Sequence, residues 1–156
     1  MERDASLSLD NQLCFAVYAL SREITKRYQP HLKQLGLTYT QYITMLALWE
    51  RDQVTVKQLG ERLFLDSGTL TPLLKKLEAM GHLVRTRDKN DERSVVIALT
   101  EQGKKLRDQA WDVPQRMFCQ AGMSLDEADK LREHIAGMMM KVQSYQTEEE
   151  VIHDDL

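Results

Sequence analysis

The sequence predicts a mainly α-helical fold that carries one small β-hairpin. Three observations lead there. Apolar residues recur at helical spacing through most of the 156 residues, and three Ser/Thr-x-x-Glu/Gln capping boxes mark helix starts. The period changes only between residues 82 and 99. The length fits one compact domain, and 42% apolar content is ordinary for a water-soluble core.

Leu9, Leu13, Ala16, Val17, Leu20 and Ile24 form one apolar stripe, so residues 10–29 read as a helix with Asp10 as its N-cap. Pro30 is expected to break or restart the chain, and Gly36 stops the short helical piece that follows. Thr38-Tyr39-Thr40-Gln41 opens a helix through Trp49, with Ile43, Leu46 and Ala47 inward. Thr55-Val56-Lys57-Gln58 opens a shorter one, with Leu59 and Leu63 inward. After Asp66-Ser67-Gly68 a fresh helix runs to Met80 on Leu70, Leu73, Leu74 and Leu77. Pro72 is tolerable there if it falls in or near the first turn, and Gly81 ends the helix. His82 to Arg87 and Ser94 to Leu99 are β-rich runs around an all-polar tip, which makes a hairpin. Thr100 caps another helix, interrupted or kinked at Pro114. Ser124-Leu125-Asp126-Glu127 starts a last helix through about Tyr145, with Ala128, Leu131, Ile135, Met138 and Val142 inward.

Helices, a tight polar turn at Asp66-Ser67-Gly68, and a hairpin flanked by helices are the order of a winged helix-turn-helix. The helices at 55–64 and 67–80 make the helix-turn-helix, and the hairpin at 82–99 is the wing. The last helix holds Met138, Met139 and Met140, more apolar surface than one small domain covers, which reads as the core of a dimer. Domain limits follow as 1–37 for N-terminal helices, 38–100 for the winged domain, 101–146 for C-terminal dimerisation helices and 147–156 for an acidic tail that is expected to fray.

A net charge of −3 argues at first against a nucleic-acid partner. The average conceals a gradient. Thr147 to Leu156 holds five acids and no base, whereas Ser67 to Arg107 holds nine bases and five acids. A helix entering a major groove needs short polar side chains near its N-terminus and cations behind them for phosphates. Ser67, Thr69 and Thr71 supply the first, Lys75 and Lys76 the second. Arg85, Arg87, Lys89 and Arg93 make the wing basic; Lys89 or Arg93 would reach a minor groove, with Asp91 placed to orient Arg93. Double-stranded DNA is therefore the expected partner.

No stretch is long and apolar enough for a membrane span, and Met1-Glu2-Arg3-Asp4 has no signal-peptide pattern, so a cytoplasmic home is expected. His31, His82, His134 and His153 show no ligand spacing, and neither a metal nor a cofactor is expected. Cys14 and Cys119 stand 105 residues apart, a poor structural staple and an incomplete zinc site. With Asp10 as N-cap, Cys14 lies at the end of the first helical turn, where the helix dipole favours a thiolate. A lone cysteine on a helix is nonetheless most often a small core hydrophobe.

The segment from Thr55 to Gly103 resembles the MarR family of winged-helix regulators, whose wing pattern Asp-x-Arg stands here as Asp91-Glu92-Arg93. Leu9-Asp10-Asn11-Gln12-Leu13-Cys14-Phe15, Gly36 to Tyr42 and Leu65 to Lys76 narrow the likeness to the organic hydroperoxide resistance regulators, over most of residues 7–145. The resemblance implies a non-enzymatic homodimeric repressor that binds palindromic promoter DNA when reduced. It implies Cys14 as the peroxide-sensing thiol, with Tyr28 and Tyr39 bonding its sulfur and Tyr18 as a further pocket residue. Cys119 resembles the resolving cysteine of the two-cysteine class, which implies an intersubunit Cys14–Cys119 disulfide that releases DNA. Two alternatives stay open: a MarR-type repressor relieved by a small aromatic ligand, and a thiol peroxidase. Around Cys14 the peroxidase pattern of Pro, Thr/Ser and Cys in one loop is missing.

Overall fold

The computed structural model describes residues 3–88, 91 and 93–153, with side chains for 5–88, 91 and 93–144. The elements in chain order are α1 (Arg3–Ser6), a 3-10 turn (Leu9–Asn11), α2 (Leu13–Gln34), α3 (Tyr39–Glu50), β1 (Val54–Thr55), α4 (Val56–Leu63), α5 (Ser67–Ala79), β2 (Leu83–Arg87), β3 (Val95–Leu99), α6 (Glu101–Ala110), α7 (Val113–Gln120) and α8 (Leu125–His153). They fall into two compact units, Met1–Val113 and Pro114–Leu156. Mainly helical architecture with a hairpin wing is what the sequence predicts.

In the first unit, α4 and α5 form the helix-turn-helix beside an antiparallel sheet ordered β1-β3-β2. The wing pairs Leu83 with Leu99 through to Arg87 with Val95. The core consists of Leu32, Tyr42, Met45, Leu48, Leu59, Leu70, Leu74, Leu77, Leu83 and Ile97, all at most 2% exposed. The helix starts are built locally. The Thr38 and Thr55 hydroxyls accept from the N–H groups of Gln41 and Gln58, whose side chains accept from the N–H of each threonine. Asp66 caps α5 by accepting from the Thr69 N–H at 2.9 Å, and the Thr100 hydroxyl caps α6 by accepting from the Gly103 N–H. In the second unit, Ser124 and Glu127 form the equivalent reciprocal pair at the start of α8.

Several expectations are corrected. Asp10 is not the N-cap of the first long helix; it lies in the 3-10 turn, and Gln12 takes the cap position. The Gln12 side-chain amide donates back to the Ser6 and Ser8 carbonyls, which moves the helix start two residues on and makes Cys14 its second residue. Pro30 does not interrupt α2. The helix loses one backbone bond there, and burial of Tyr28, His31 and Leu32 in the same turns offsets the loss. Pro72 is the sixth residue of α5, a turn deeper than expected.

On α3 the buried face is Tyr42, Met45 and Leu48 with Gln41, Thr44 and Ala47; Leu46 is exposed and Ile43 half-buried. That helix is apolar nearly all round, so periodicity could not choose its inner face. β1, which pairs Val54 with Ile97, was not foreseen, because two residues are too short for a period-2 signal. The last helix continues past Tyr145 to His153 instead of ending before the acidic tail. Its expected inner residues Leu131, Ile135 and Val142 are exposed in the single chain, as are Leu9, Leu13, Val17 and Leu20 near the N-terminus.

Candidate functional site

Two surfaces gather most of the residues singled out in the sequence. The first is the outer face of α5 with the wing. Burial of Leu70, Leu73, Leu74 and Leu77 turns Ser67, Thr71 and Lys75 outward in one row at four-residue spacing, with Lys76 beside them. All four are exposed. Thr69 is exposed too, but its hydroxyl donates to Asp66 at 2.7 Å, so this side chain serves the helix cap as well.

The wing is less uniform. Arg87, Asp91 and Arg93 are exposed. Asp91 accepts from the backbone N–H of Arg93 at 3.1 Å, which shapes the hairpin tip. Arg85 is drawn away from solvent. Its Nε donates to Glu78 at 2.8 Å and its backbone N–H donates to the other carboxylate oxygen at 3.0 Å. Arg85 thus fastens the wing to the end of α5, which the sequence reading, counting it as a DNA-facing cation, had missed. Lys89 lies outside the described residues.

The second surface follows α2 and α3. Cys14 is exposed with a free thiol, and Tyr18, one turn on, is exposed on the same side. The Arg22 guanidinium carbon lies 5.7 Å from the Tyr18 ring centre. Tyr28 is buried, and its ring stands 5.3 Å from that of Tyr39 and 5.8 Å from that of Tyr42. Burial pushes the Tyr28 phenol up to about 12, with a further push from Tyr39. Burial raises Tyr39 and Tyr42 as well. All three therefore keep their protons, and remain hydrogen-bond donors, at neutral pH. A cavity of about 680 Å³ opens beside Tyr39, with Leu32, Leu37, Thr25 and Gln29 among its walls.

The structure does not bring Cys14 and Tyr28 together within one chain. They lie on one unbroken helix 14 residues apart, a rise of about 21 Å. Cys119, on α7, is likewise exposed and free.

Comparison with known proteins places these features. The sequence profile of the transcriptional regulator SarA/Rot family matches residues 26–110. The organic hydroperoxide resistance transcriptional regulator of Bacillus subtilis (strain 168) is 49% identical over 127 residues, covering 81% of this chain and 84% of that protein. SarZ, an HTH-type transcriptional regulator of Staphylococcus epidermidis, is 45% identical over 133 residues, covering 85% of this chain and 90% of its own. AbfR of the same species superposes with a TM-score of 0.75 at 34% identity, over 91% of this chain and 98% of that one. AbfR has also been solved reduced on DNA (TM-score 0.76), overoxidized on DNA (0.74) and in a disulfide-formed state (0.61).

Proposed function

Because the chain belongs to the MarR-like winged-helix family that holds the SarA/Rot and organic hydroperoxide resistance regulators, we propose that it is a homodimeric repressor which binds promoter DNA when reduced and leaves it when organic hydroperoxide oxidises Cys14. It is a redox-sensing transcriptional regulator and not an enzyme.

The observation that carries the reading is the 21 Å problem. Cys14 and Tyr28 cannot meet in one chain, yet they lie on nearly the same side of α2, about 14 residues apart. Two copies of α2 crossing antiparallel, with a two-fold axis near Ser21, would set Cys14 of each subunit level with Tyr28 of the other. The same crossing would cover Leu13, Val17 and Leu20, which are exposed in the single chain. The sensing site is then shared: Cys14 with its own Tyr18 from one subunit, and the phenols of Tyr28 and Tyr39 from the other.

The chemistry follows from those groups. Phenols that keep their protons can donate hydrogen bonds to the Cys14 sulfur, which stands in the first turn of α2. The thiolate attacks the terminal oxygen of the hydroperoxide; an S–O bond forms, the O–O bond breaks, and the alkoxide takes a proton from water to leave as alcohol. The cavity beside Tyr39, walled partly by Leu32 and Leu37, suits an alkyl tail. Cys119 of the other subunit then attacks the sulfenic sulfur, forming the disulfide and releasing water. Tying α2 to α7 across the dimer would shift the spacing of the two α5 helices from half-sites roughly 34 Å apart, and binding is lost. AbfR has been solved in a disulfide-formed state, which supports disulfide formation here by analogy.

DNA is met by Ser67, Thr71, Lys75 and Lys76 of α5, with Thr69 at its start and Arg87, Lys89 and Arg93 of the wing around Asp91. The test is promoter-DNA affinity before and after one equivalent of cumene hydroperoxide. Wild type is expected to lose at least about tenfold in affinity, and Cys14→Ser to lose none. Equal losses in both proteins would refute the sensing role of Cys14.

A further inference from the structure

Tyr42 takes no part in the scheme above, and its hydroxyl is the oddest group in the first unit. The side chain is 1% exposed, and its Oη is shut off from solvent with no hydrogen-bond partner. A phenylalanine would fill the same space without burying an orphan hydroxyl, and a buried polar group left without a partner calls for an explanation. Its neighbours suggest the use. The Tyr42 ring lies against that of Tyr28 at 5.8 Å, and Tyr28 lies against Tyr39 at 5.3 Å. Burial pushes the Tyr42 phenol up, and negative charge on Tyr28 or Tyr39 would push it further.

We infer that Tyr42 is a positioning residue for the thiolate site, acting through Tyr28: its buried hydroxyl donates to the Tyr28 oxygen when Tyr28 donates to the sulfur of the partner subunit. This rests on the thiolate reading above and names a group that reading omits. Aiming the Tyr28 proton at a sulfur anion turns the oxygen lone pairs back into the core, where Tyr42 is the adjacent phenol. A phenol that accepts one hydrogen bond donates a stronger one, so the chain Tyr42 to Tyr28 to sulfur holds negative charge better than Tyr28 alone. No proton transfers along it. The electron pair still passes from sulfur to the peroxide oxygen, and the alkoxide still leaves as alcohol. Tyr39 packs against the Tyr28 ring as well, so both aromatic neighbours of the central phenol come from α3.

The experiment uses the full-length dimer in a Cys119→Ser background, where Cys14 is the one thiol, and follows sulfenic acid formation with cumene hydroperoxide across pH. Tyr42→Phe is expected to slow oxidation at pH 7 by about fivefold, the scale of one hydrogen bond. It should also move the pH midpoint of the rate upward while the melting temperature holds or rises. A packing role alone would not move that midpoint. In a double-mutant cycle, Tyr28→Phe with Tyr42→Phe should be no slower than Tyr28→Phe by itself. Should Tyr42→Phe melt lower, the cycle still decides, because a packing defect would slow the Tyr28→Phe protein as much as the parent. An unchanged rate and midpoint in Tyr42→Phe, or independent effects in the cycle, would overturn the inference and leave the sensing reading standing. If Cys14 of the parent is not oxidised at all, both fall.

Discussion

The guanidinium of Arg85 reaches back from β2 to the carboxylate of Glu78, and the contact has a pH signature. The Arg85 hydrogen bond holds the Glu78 carboxyl below its ordinary value of 4.5. A carboxyl depressed in the folded state stabilises the fold above its unfolded pKa, and that contribution disappears as pH falls through the lower, folded value. Asp66 and Glu127 are lowered too, by bonds from Thr69 and Ser124, so raw acid sensitivity mixes several groups. The difference between wild type and Glu78→Gln isolates one of them. Wild type is expected to melt higher at pH 7, with the gap closing below about pH 4.5. Thermal unfolding of both proteins from pH 7 to 3 checks this, and a gap of constant size would reject it. Nothing in the sequence distinguishes Arg85 from Arg87, two residues away on the same strand. Only pairing with a helix seven residues upstream makes one a fastener and leaves the other exposed.

Elements whose signal is local were legible, and those defined by distant neighbours were not. A capping box is written within four residues, and Thr38, Thr55 and Ser124 all start their helices as read. The inner face of α3 and the strand β1 depend on what lies across from them. So does the junction of wing and α6, where two backbone segments run close together. A Cβ on Gly103 would drive into the His82 carbonyl, which already accepts from the Thr100 N–H. The Gly103 carbonyl in turn accepts from the Trp49 indole at 2.9 Å, and Asp52 accepts from the Leu99 N–H at 2.8 Å. Backbone meets backbone here, so no side-chain rotation relieves the clash. Gly103→Ala is therefore expected to cost about 3 kcal/mol, the upper range for overpacking. For a chain of this length that lowers the melting temperature by roughly 10 °C in a thermal scan. A loss of under about 2 °C would show that the wing can slide away from α6.

For the molecule as a whole, the question is which subunit supplies each half of the disulfide. The sequence offered the two cysteines without geometry, and their 105-residue separation fits a bond within a chain or between chains equally well. Each thiol is exposed on a different element, Cys14 on α2 and Cys119 on α7. The intersubunit bond is the one that would tie the two subunits together. Mixing two singly substituted proteins separates the cases. A mixed dimer of one Cys14→Ser subunit and one Cys119→Ser subunit keeps a single Cys14 and a single Cys119, always on different chains. After subunit exchange and treatment with cumene hydroperoxide, intersubunit pairing gives a covalent dimer on a non-reducing gel. Intrachain pairing can give none, since neither chain holds both thiols. Cys119→Ser alone serves as the control for a direct Cys14–Cys14 bond and is expected to run as monomer. Cross-linked dimer in the mixture but not in either parent fixes the connectivity. Its absence, with wild type oxidising to a faster-running monomer, would place the bond within one chain and remove the tether on which release from DNA depends.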